Sequence, residues 1–308
     1  MTIAVFGSIN VDITGYGDRL PLAGETVKAE RYATGLGGKG ANQAVAAAKL
    51  GARVRLIGCV GADPFGVEAL RWLTEYGLST DHVRRAGDQQ TGIALISVDA
   101  HGENQITVVP AANDVLAVGD LGKEAAALDG VRVLLTQLEA PHEASFEVSK
   151  IANARGITVI HDPAPAPYDA PTREVLAPVH IVTPNARETQ ALTGILPTST
   201  ETARAAAHKL RNLGVDTVIV KRGADGCYVC SVAFEGVVPA FKVSSIDSVG
   251  AGDCFNGGLA VALAEGLPLK DAVRFASACG ALSTTRAGAA SAAPSRADVE
   301  ALLRQGAG

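Results

Sequence analysis

The sequence predicts an α/β protein with a doubly wound (Rossmann-like), mostly parallel central sheet, helices on both of its faces, and a small β-sheet lid. From residue 112 to residue 221, short apolar runs alternate with helical patterns, which is the order of repeated βαβ units. The apolar runs are nearly continuous, as in parallel strands buried on both faces. Segments at about 12–34 and 91–109 stand outside this alternation and predict the lid.

The first third of the chain starts the central sheet and supplies the whole lid. Residues 64–76 carry apolar side chains at helical spacing. Residues 100–103, Ala-His-Gly-Glu, are typical of a hairpin turn between two lid strands. The predicted elements are strands at 3–8 and 53–60, helices at 38–50 and 64–76, and lid segments at 11–16, 25–34, 91–99 and 104–109.

The rest of the chain continues the alternation and ends in two long helices rich in small residues. No repeat or linker divides the sequence, so residues 1–308 are predicted to form one domain. The predicted elements are strands at 131–138, 157–161, 180–183, 217–221, 227–232 and 241–243, and helices at 143–154, 200–213, 251–265 and 269–284.

Composition argues against several classes of function. The net charge of −5 contains no basic excess, so nucleic acid and anionic membranes are not expected partners. No signal peptide is recognisable, and no apolar run approaches the roughly 18 residues of a membrane span. Five scattered cysteines predict no disulfide framework and a cytoplasmic location. Cys227 and Cys230 form a lone C-x-x-C without a nearby histidine, so no metal or redox role is expected for them.

The segment Gly250-Ala251-Gly252-Asp253 precedes an apolar helix and is a candidate phosphate site. Glycines let the backbone approach a ligand, and the free N–H groups of a helix start favour an anion. A carboxylate beside a bound phosphate is useful if it accepts a proton from an attacking hydroxyl. The same aspartate is equally typical of a helix cap, and the motif alone does not separate the two interpretations.

A second glycine-rich segment, residues 35–42, contains G-x-G-x-x-G but fits neither familiar nucleotide motif. It does not follow the first strand directly, as a dinucleotide fingerprint should, and Gly40 stands where a Walker A loop has Ser or Thr after the lysine. Gly37, Gly38, Lys39 and Asn42 fit better as a turn that presents polar groups to a small hydroxylated ligand.

Polar residues also follow several predicted strands, where ligands of doubly wound sheets gather. Asn10 and Asp12 lie at i and i+2, so they share a face and suit sugar hydroxyls, although a turn-forming pair is the alternative. Asn185 and Glu188 lie at i and i+3 of a first helical turn, where they suit a hydrated Mg²⁺ or a capping box. Further polar groups at strand ends are Glu139, Asp162, Lys221 and Gly223.

Two of these segments, in this order, resemble the paired signatures of the PfkB (ribokinase-like) family of carbohydrate kinases. The N-terminal signature is similar to residues 35–47, and the C-terminal one to residues 247–257, Asp-Ser-Val-Gly-Ala-Gly-Asp-Cys-Phe-Asn-Gly. Similarity continues through residues 7–12, 21–27, 137–139 and 163–166, so the resemblance covers the whole chain.

The resemblance implies a role for each candidate residue. Asp253 is implied as the catalytic base, with an anion hole formed by the Gly250 turn and the amides of Ala251, Gly252 and Asp253. The implied sugar-binding residues are Asn10, Asp12, Gly38, Lys39, Asn42, Glu139 and Asp253. The implied ATP-binding residues are Asn185, Lys221, Gly223, Gly252 and Ser277, and Glu188 is implied to bind Mg²⁺ through water.

Potassium activation and a homodimer formed through the lid are implied in the same way. The implied K⁺ ligands, mostly backbone, are at Asp247, Val249, Ser283, Arg286 and Gly288. Three positions depart from the family pattern. Ala111 stands where glycine is usual before Ala112 and Asn113. Ala292 stands where a serine is usual, with Ser291 one position earlier, and Asp162 stands where asparagine is usual before proline.

The implied reaction is ATP-dependent phosphorylation of the primary hydroxyl of a small sugar, with D-ribose the expected substrate. Deoxyribose, a ketohexose, a keto-deoxy sugar acid and a nucleoside remain alternatives, although only 4% of residues are aromatic and a nucleoside pocket needs an apolar wall. A non-catalytic sugar sensor should lack the base or the anion hole. A nicotinamide-dependent oxidoreductase should carry its glycine motif at the first strand–helix turn.

Overall fold

The computed structural model describes residues 1–116, 126–166 and 173–305. The strands of the described residues, in chain order, are β1 (Thr2–Phe6), β2 (Asn10–Tyr16), β3 (Arg31–Gly37), β4 (Arg53–Gly61), β5 (Val83–Ala86), β6 (Gly92–Val98), β7 (Asn104–Val109), β8 (Val131–Thr136), β9 (Thr158–His161), β10 (Ile181–Val182), β11 (Thr217–Lys221), β12 (Cys227–Cys230) and β13 (Glu235–Val238). The helices are α1 (Lys39–Lys49), α2 (Pro64–Glu75), α3 (His142–Ala154), α4 (Arg173–Leu176), α5 (Ala186–Thr193), α6 (Thr200–Arg211), α7 (Ala251–Ala264), α8 (Leu269–Ser283) and α9 (Arg296–Gln305).

The central sheet has nine strands in the order β13-β12-β11-β10-β9-β8-β1-β4-β5. All neighbours from β11 to β5 pair in parallel, and β12 and β13 add an antiparallel edge. Alternate residues of β1 enter different cores: Ile3 and Val5 pack with α1, α7 and α8, whereas Ala4 and Phe6 pack with α3. Helices therefore cover both faces, and the predicted doubly wound fold is confirmed.

Four strands form a separate small sheet in the order β3-β2-β6-β7. The pairs β2–β3 and β6–β7 are antiparallel, and β2–β6 is parallel. The sequence placed these strands in the lid segments, and the predicted hairpin at 100–103 joins β6 to β7. The predicted segment at 25–34 is shifted, since its strand begins only at Arg31.

One predicted strand is wrong. Residues 241–243 are not in a strand; the edge strand that pairs with β12 is β13, at Glu235–Val238. Pro239 follows β13 directly and has no N–H to donate to a ladder. Beyond it, the ring of Phe241 lies 5.4 Å from the guanidinium of Arg274, so this apolar residue packs on a helix instead of continuing the sheet.

The two cysteines of the C-x-x-C pair lie on opposite faces of β12, as their odd spacing in a strand requires. Cys227 packs in the core that contains Ile219, whereas Cys230 packs in the one that contains Val218. All five cysteines are buried and lie within the described residues, and none of them forms a disulfide. No helix in the described part of the chain combines the length and apolarity needed to cross a bilayer.

Candidate active site

The site lies where the carboxyl ends of the central strands meet the first turns of α1 and α7. These two helices approach closely because Gly257 has no side chain: a Cβ there would lie 2.7 Å from the Cβ of Ala46 and 2.9 Å from the carbonyl oxygen of Gln43. The close contact brings the two glycine-rich segments of the sequence together, although more than two hundred residues separate them.

Asp253 is the third residue of α7, and its side chain is only 4% exposed. Its carboxylate does not cap the helix, since the cap residue is Gly250 and no side chain caps this end. Instead, Oδ2 accepts a hydrogen bond from Asn42 Nδ2 and Oδ1 accepts one from Gln43 Nε2, both at 3.1 Å. The capping interpretation of this aspartate is therefore wrong.

The surroundings of Asp253 make its carboxylate a stronger base than usual. Burial raises the pKa of this group, Lys39 opposes the rise, and the nearby Asp162 and Glu139 carboxylates add to it. A carboxylate with a higher pKa is better able to accept the hydroxyl proton that it is predicted to remove. Close by, the side-chain oxygen Oδ1 of Asn42 is buried and has no hydrogen-bond partner among the described residues, so an acceptor lies beside the base for a ligand hydroxyl.

Gln43 was missed by the sequence interpretation, although it lies close to the glycine-rich turn. Its amide nitrogen donates to Asp253 and, also at 3.1 Å, to Asp162 Oδ2, and its amide oxygen accepts from Gln137 Nε2 at 2.8 Å. One amide therefore fixes the positions of two buried carboxylates. The signal in the sequence was the adjacency of Gln43 to Asn42 at the start of a helix.

The turn before α1 has space for polar groups only because it consists of glycines. A Cβ on Gly37 would overlap the carboxylate of Asp12. Gly38 has φ +86°, and a Cβ there would lie 2.8 Å from both Asn10 N and Ser8 O. Strand pairing sets Asn10 opposite Gly37, so the predicted sugar-binding residues of β2 face the turn at close range.

A buried asparagine that the sequence analysis did not select orients Asn10. Asn113 Nδ2 donates to Asn10 Oδ1 at 2.8 Å, while Asn113 Oδ1 accepts from the backbone N–H of Ile9 at 2.9 Å. Asn113 follows the small sheet in the chain and contacts the start of β2. It therefore links the small sheet to the floor of the site.

Asp12 and Glu139 place two carboxylates near Asp253. Glu139 Oε2 accepts from Ser8 Oγ at 2.6 Å and from the backbone N–H of Lys39 at 3.0 Å. Burial, followed by the charges of Glu139 and Asp253, raises the pKa of Asp12 to about 7. This cluster of acceptors suits a ligand rich in hydroxyl groups.

Lys39 supplies the balancing positive charge. Burial lowers its pKa, but the carboxylates of Asp253, Asp162, Glu139 and Glu188 together raise it above the ordinary value. The ammonium group therefore stays charged at physiological pH. Its backbone N–H holds Glu139, so the predicted sugar-binding lysine and glutamate are joined.

Asp162 and Lys221 form a buried ion pair of 3.1 Å between Oδ1 and Nζ, with side-chain exposures of 2% and 13%. Burial raises the pKa of Asp162, but Lys221 and Lys39 lower it more, so the carboxyl is ionised. A Cβ on Gly252 would lie 3.4 Å from Lys221 Nζ. The ammonium of Lys221 thus lies beside the turn predicted to bind phosphate.

Asn185 and Glu188 form a reciprocal capping box on α5. Asn185 Oδ1 accepts from Glu188 N at 2.9 Å, and the two oxygens of Glu188 accept from Asn185 N and Nδ2, each at 2.7 Å. Burial raises the pKa of Glu188, with Lys221 opposing. The capping alternative is therefore present. Each oxygen keeps a second lone pair, so a water-mediated contact with Mg²⁺ fits the donor set.

The other predicted nucleotide residues lie around Lys221. Gly223 begins a 3-10 turn two residues after the end of β11, with φ +59°. Ser277 on α8 has its Oγ 3.9 Å from Cys227 Sγ, and Cys227 pairs with Lys221 in the sheet. Lys221, Gly223 and Ser277 are thus brought to one end of β11.

Two loops predicted to hold K⁺ are joined by Asp247. Its Oδ1 accepts from Val249 N and its Oδ2 from Gly288 N, both at 2.9 Å. Gly288 has φ +93°, a conformation that favours glycine. Ser283 lies at the end of α8, where its carbonyl accepts from Arg286 N at 3.3 Å. The structure therefore brings Asp247, Val249 and Gly288 together, with Ser283 and Arg286 in the adjoining turn.

The loop that continues to residue 293 is held by a lysine of α1. Lys49 Nζ donates to the carbonyls of Ala290, Ser291 and Ala293 at 3.3, 3.0 and 3.0 Å. The hydroxyl of Ser291 donates to Ala287 O at 3.3 Å, and Ala292 is buried. The serine next to the substituted position therefore bonds within its own turn.

The identity of the family follows from comparison with known proteins. Residues 2–296 match the pfkB family of carbohydrate kinases. The chain belongs to this family. A ribokinase of Haemophilus influenzae is 36% identical over 295 residues and covers 96% of both chains. A deoxyribokinase of Salmonella typhi is 35% identical over the same length and coverage.

Comparison with a solved structure confirms the fold. The Arabidopsis thaliana ribokinase complexed with ribose and ATP superposes with a TM-score of 0.89 at 32% identity, covering 98% of each chain. Membership of a carbohydrate kinase family also removes the sensor and oxidoreductase alternatives in favour of an enzyme of sugar phosphorylation.

Proposed function

We propose that this PfkB kinase transfers the γ-phosphoryl group of ATP to the primary hydroxyl of D-ribose. The single observation that carries the proposal is the buried Asp253 carboxylate, which stands at a helix start without capping it and is held by Asn42 and Gln43. Similarity to ribokinases over nearly the full chain and to a ribokinase that binds ribose and ATP supports ribose as the sugar.

In the proposed mechanism, the chain's own groups bind, orient and deprotonate the sugar. Asn10, Asp12, Lys39 and Glu139 bind the sugar hydroxyls, and Asp253 accepts the proton of the primary hydroxyl as it attacks. The N–H groups of Gly252 and Asp253 and the Lys221 ammonium stabilise charge on the transferred group. The ammonium lies 3.4 Å from where a Cβ on Gly252 would be. The N–H of Ala251 donates to Ser248 O at 3.2 Å and would have to leave that carbonyl to join them.

Asn185, Gly223 and Ser277 are proposed to border the nucleotide. Glu188 would hold Mg²⁺ through water, and Mg²⁺ bound there would supply charge neutralisation to the ATP phosphates. The buried position of Glu188 near Lys221 and Asp162 supports this placement.

A coupled assay of ADP release tests the substrate. With ribose, 2-deoxyribose, ketohexoses, keto-deoxy sugar acids and nucleosides compared at equal concentration, D-ribose should give the highest kcat/KM. The comparison with 2-deoxyribose is decisive, since the chain is nearly equally identical to a ribokinase and to a deoxyribokinase. A higher kcat/KM for another sugar would reassign the substrate.

Potassium is proposed to activate the enzyme by binding between the loops joined by Asp247. Exchange of K⁺ for Na⁺ at constant ionic strength should lower kcat several-fold in the same assay. Asp247→Ala should remove the difference between the two ions, because the loops at Val249 and Gly288 lose their common acceptor. Equal rates in both ions for the unmodified protein would contradict the proposal.

Asp12 should make stability depend on pH near neutrality. With a pKa raised from 3.8 to about 7, its contribution to stability is fully present below 3.8 and is lost as the pH rises through about 7. Asp12→Asn is neutral throughout, so its free energy of unfolding relative to the unmodified protein should rise between about pH 4 and about pH 8, by up to roughly 4 kcal/mol.

Urea unfolding at both pH values measures the Asp12 effect. The matched control is Asp298→Asn, because hydrogen bonds from Ser295 lower the pKa of that exposed carboxyl. Its contribution to stability changes only below about pH 4, so the difference between Asp298→Asn and the unmodified protein should stay nearly constant between the two pH values. A pH-independent difference between Asp12→Asn and the unmodified protein would show that folding does not raise the pKa of Asp12.

The small sheet is proposed to act as the lid and to form a homodimer contact. Ile106 and Val108 share one face of β7 and are 50% and 44% exposed. Their strand partners Ile96 and Ala94 extend this apolar face toward Asp12. Sedimentation should show a dimer, and the double variant Ile106→Lys with Val108→Lys should be a monomer. A monomer of the unmodified protein at all concentrations would contradict this contact.

A cytoplasmic location is proposed because none of the five cysteines forms a disulfide.

A further inference from the structure

A second cluster of chemically active side chains lies at the far edge of the central sheet, outside the proposed kinase site. It combines His208 of α6, Cys230 at the end of β12 and Glu235 at the start of β13. One potential ligand atom from each residue lies within 4.8 Å of the other two. The sequence suggested no histidine near the C-x-x-C pair, but folding brings in one from 22 residues upstream.

The local fold explains why these side chains meet. Cys230 and Glu235 are opposite each other in the antiparallel β12–β13 pair, so their side chains share a face. Helix α6 covers that face and places His208 over it. His208 Nε2 lies 2.9 Å from Glu235 Oε1, and Cys230 Sγ lies 3.8 Å from His208 Nδ1 and 3.9 Å from Nε2.

We propose that His208, Cys230 and Glu235 form a binding site for a borderline-soft divalent cation of the Zn²⁺ class. Sulfur, imidazole nitrogen and carboxylate oxygen are the three ligand types that zinc uses, and a three-residue set leaves one position for water. The observed separations are near the roughly 3.5 Å that ligand bonds of about 2.0–2.3 Å give in a tetrahedron. Cys230 is buried, while His208 and Glu235 are partly exposed, so the site opens to solvent on one side.

Charged neighbours modulate this site. Arg204 lies 3.3 Å from Glu235 Oε1, and the Tyr228 hydroxyl donates to the same oxygen at 2.7 Å. Burial raises the pKa of the Cys230 thiol above its ordinary value, and a hydrogen bond with Arg211 opposes part of that rise. Binding of the divalent cation therefore requires the Cys230 thiol to release its proton to solvent. It also requires Arg204 to move away from Glu235, which its side chain can do because it is 65% exposed. The two arginines weaken the attraction for the cation but do not occupy the ligand atoms of His208.

The site is separated from the kinase centre along the sheet. Cys227 pairs with Lys221, whereas Cys230 pairs with Val218, three residues away along the strand and hence about 10 Å from that end. A cation there would join α6 to the two edge strands and stabilise the edge. This proposal does not rest on the identity of the sugar or of the catalytic base.

Cobalt titration of metal-stripped protein tests the site, because a thiolate bound to Co²⁺ gives a charge-transfer absorption. We expect one saturable Co²⁺ per chain with this absorption, displaced by Zn²⁺. Affinity should rise about 10-fold per pH unit while the thiol is protonated, since one proton is released. Cys230→Ser should abolish the absorption, and the more exposed His208→Gln should weaken binding at least 10-fold.

Cys227→Ala is the matched control, since it removes a thiol from the same strand on the opposite face. It should keep the cobalt absorption. Absence of saturable binding in the unmodified protein, or retention of the absorption in Cys230→Ser, would overturn the proposal. If Cys230→Ser does not fold, unchanged affinity in His208→Gln would do the same.

Discussion

Replacement of Asp253 by Asn should lower kcat by about 10²–10⁴-fold while leaving ATP binding intact, because a general base contributes on that order. The amide has the size of the carboxyl but accepts no proton. The NH₂ group of the new amide would also face the NH₂ group of Asn42 or of Gln43, because both of these donate to the carboxylate in the unmodified protein. Turnover at saturating ribose and ATP, with ATP affinity measured separately, checks the prediction.

The control for this prediction is Asp271→Asn. Asp271 is the third residue of α8, as Asp253 is of α7, but it is exposed. If an acidic side chain in the first turn only stabilises the helix, both variants should lose up to about 1 kcal/mol of stability and keep their activity. Sugar-dependent ADP formation near the unmodified rate in Asp253→Asn would remove Asp253 from the role of base.

Much of the fold could be predicted because its strands are buried on both faces. Continuous apolar runs such as 131–138 and 217–221 carry that information locally, and the glycines of both turns mark close approaches of backbone. The edge of the sheet was harder to predict. Residues 241–243 are as apolar as Glu235–Val238, but the segment that pairs with β12 is Glu235–Val238. Strand pairing depends on distant partners, which periodicity does not report.

The site shows the same division between local and distant information. Residues at glycine turns and strand ends were found from their positions in the chain. Gln43 and Asn113 were missed because their importance lies in contacts with residues 210 and 103 positions away, such as Asp253 and Asn10. For Asn185 and Glu188, the sequence allowed both a capping box and a metal role. The structure contains the capping box. A capping box is compatible with Mg²⁺ binding, so the metal role of these residues stays a proposal.

Lys221→Met should be the most damaging change to stability among the site residues outside the glycine turns. It leaves the ionised Asp162 carboxylate, 2% exposed, without the ammonium 3.1 Å away. Breaking a buried pair by removing one partner costs roughly 3–5 kcal/mol. Loss of a positive charge beside the Gly252 turn should also lower kcat about 10²–10³-fold. Urea unfolding and the coupled assay measure the two effects separately.

The double variant Asp162→Asn with Lys221→Met separates support from catalysis. Removing both charges leaves neither buried ion unpaired, so most of the lost stability should return, while the amide that replaces the Asp162 carboxylate can still contact Gln43. If Lys221 acts on the transferred phosphoryl group, turnover should stay low despite restored stability. If Lys221 only neutralises Asp162, turnover should recover with stability, and the proposed contact between its ammonium and the phosphoryl group would be excluded.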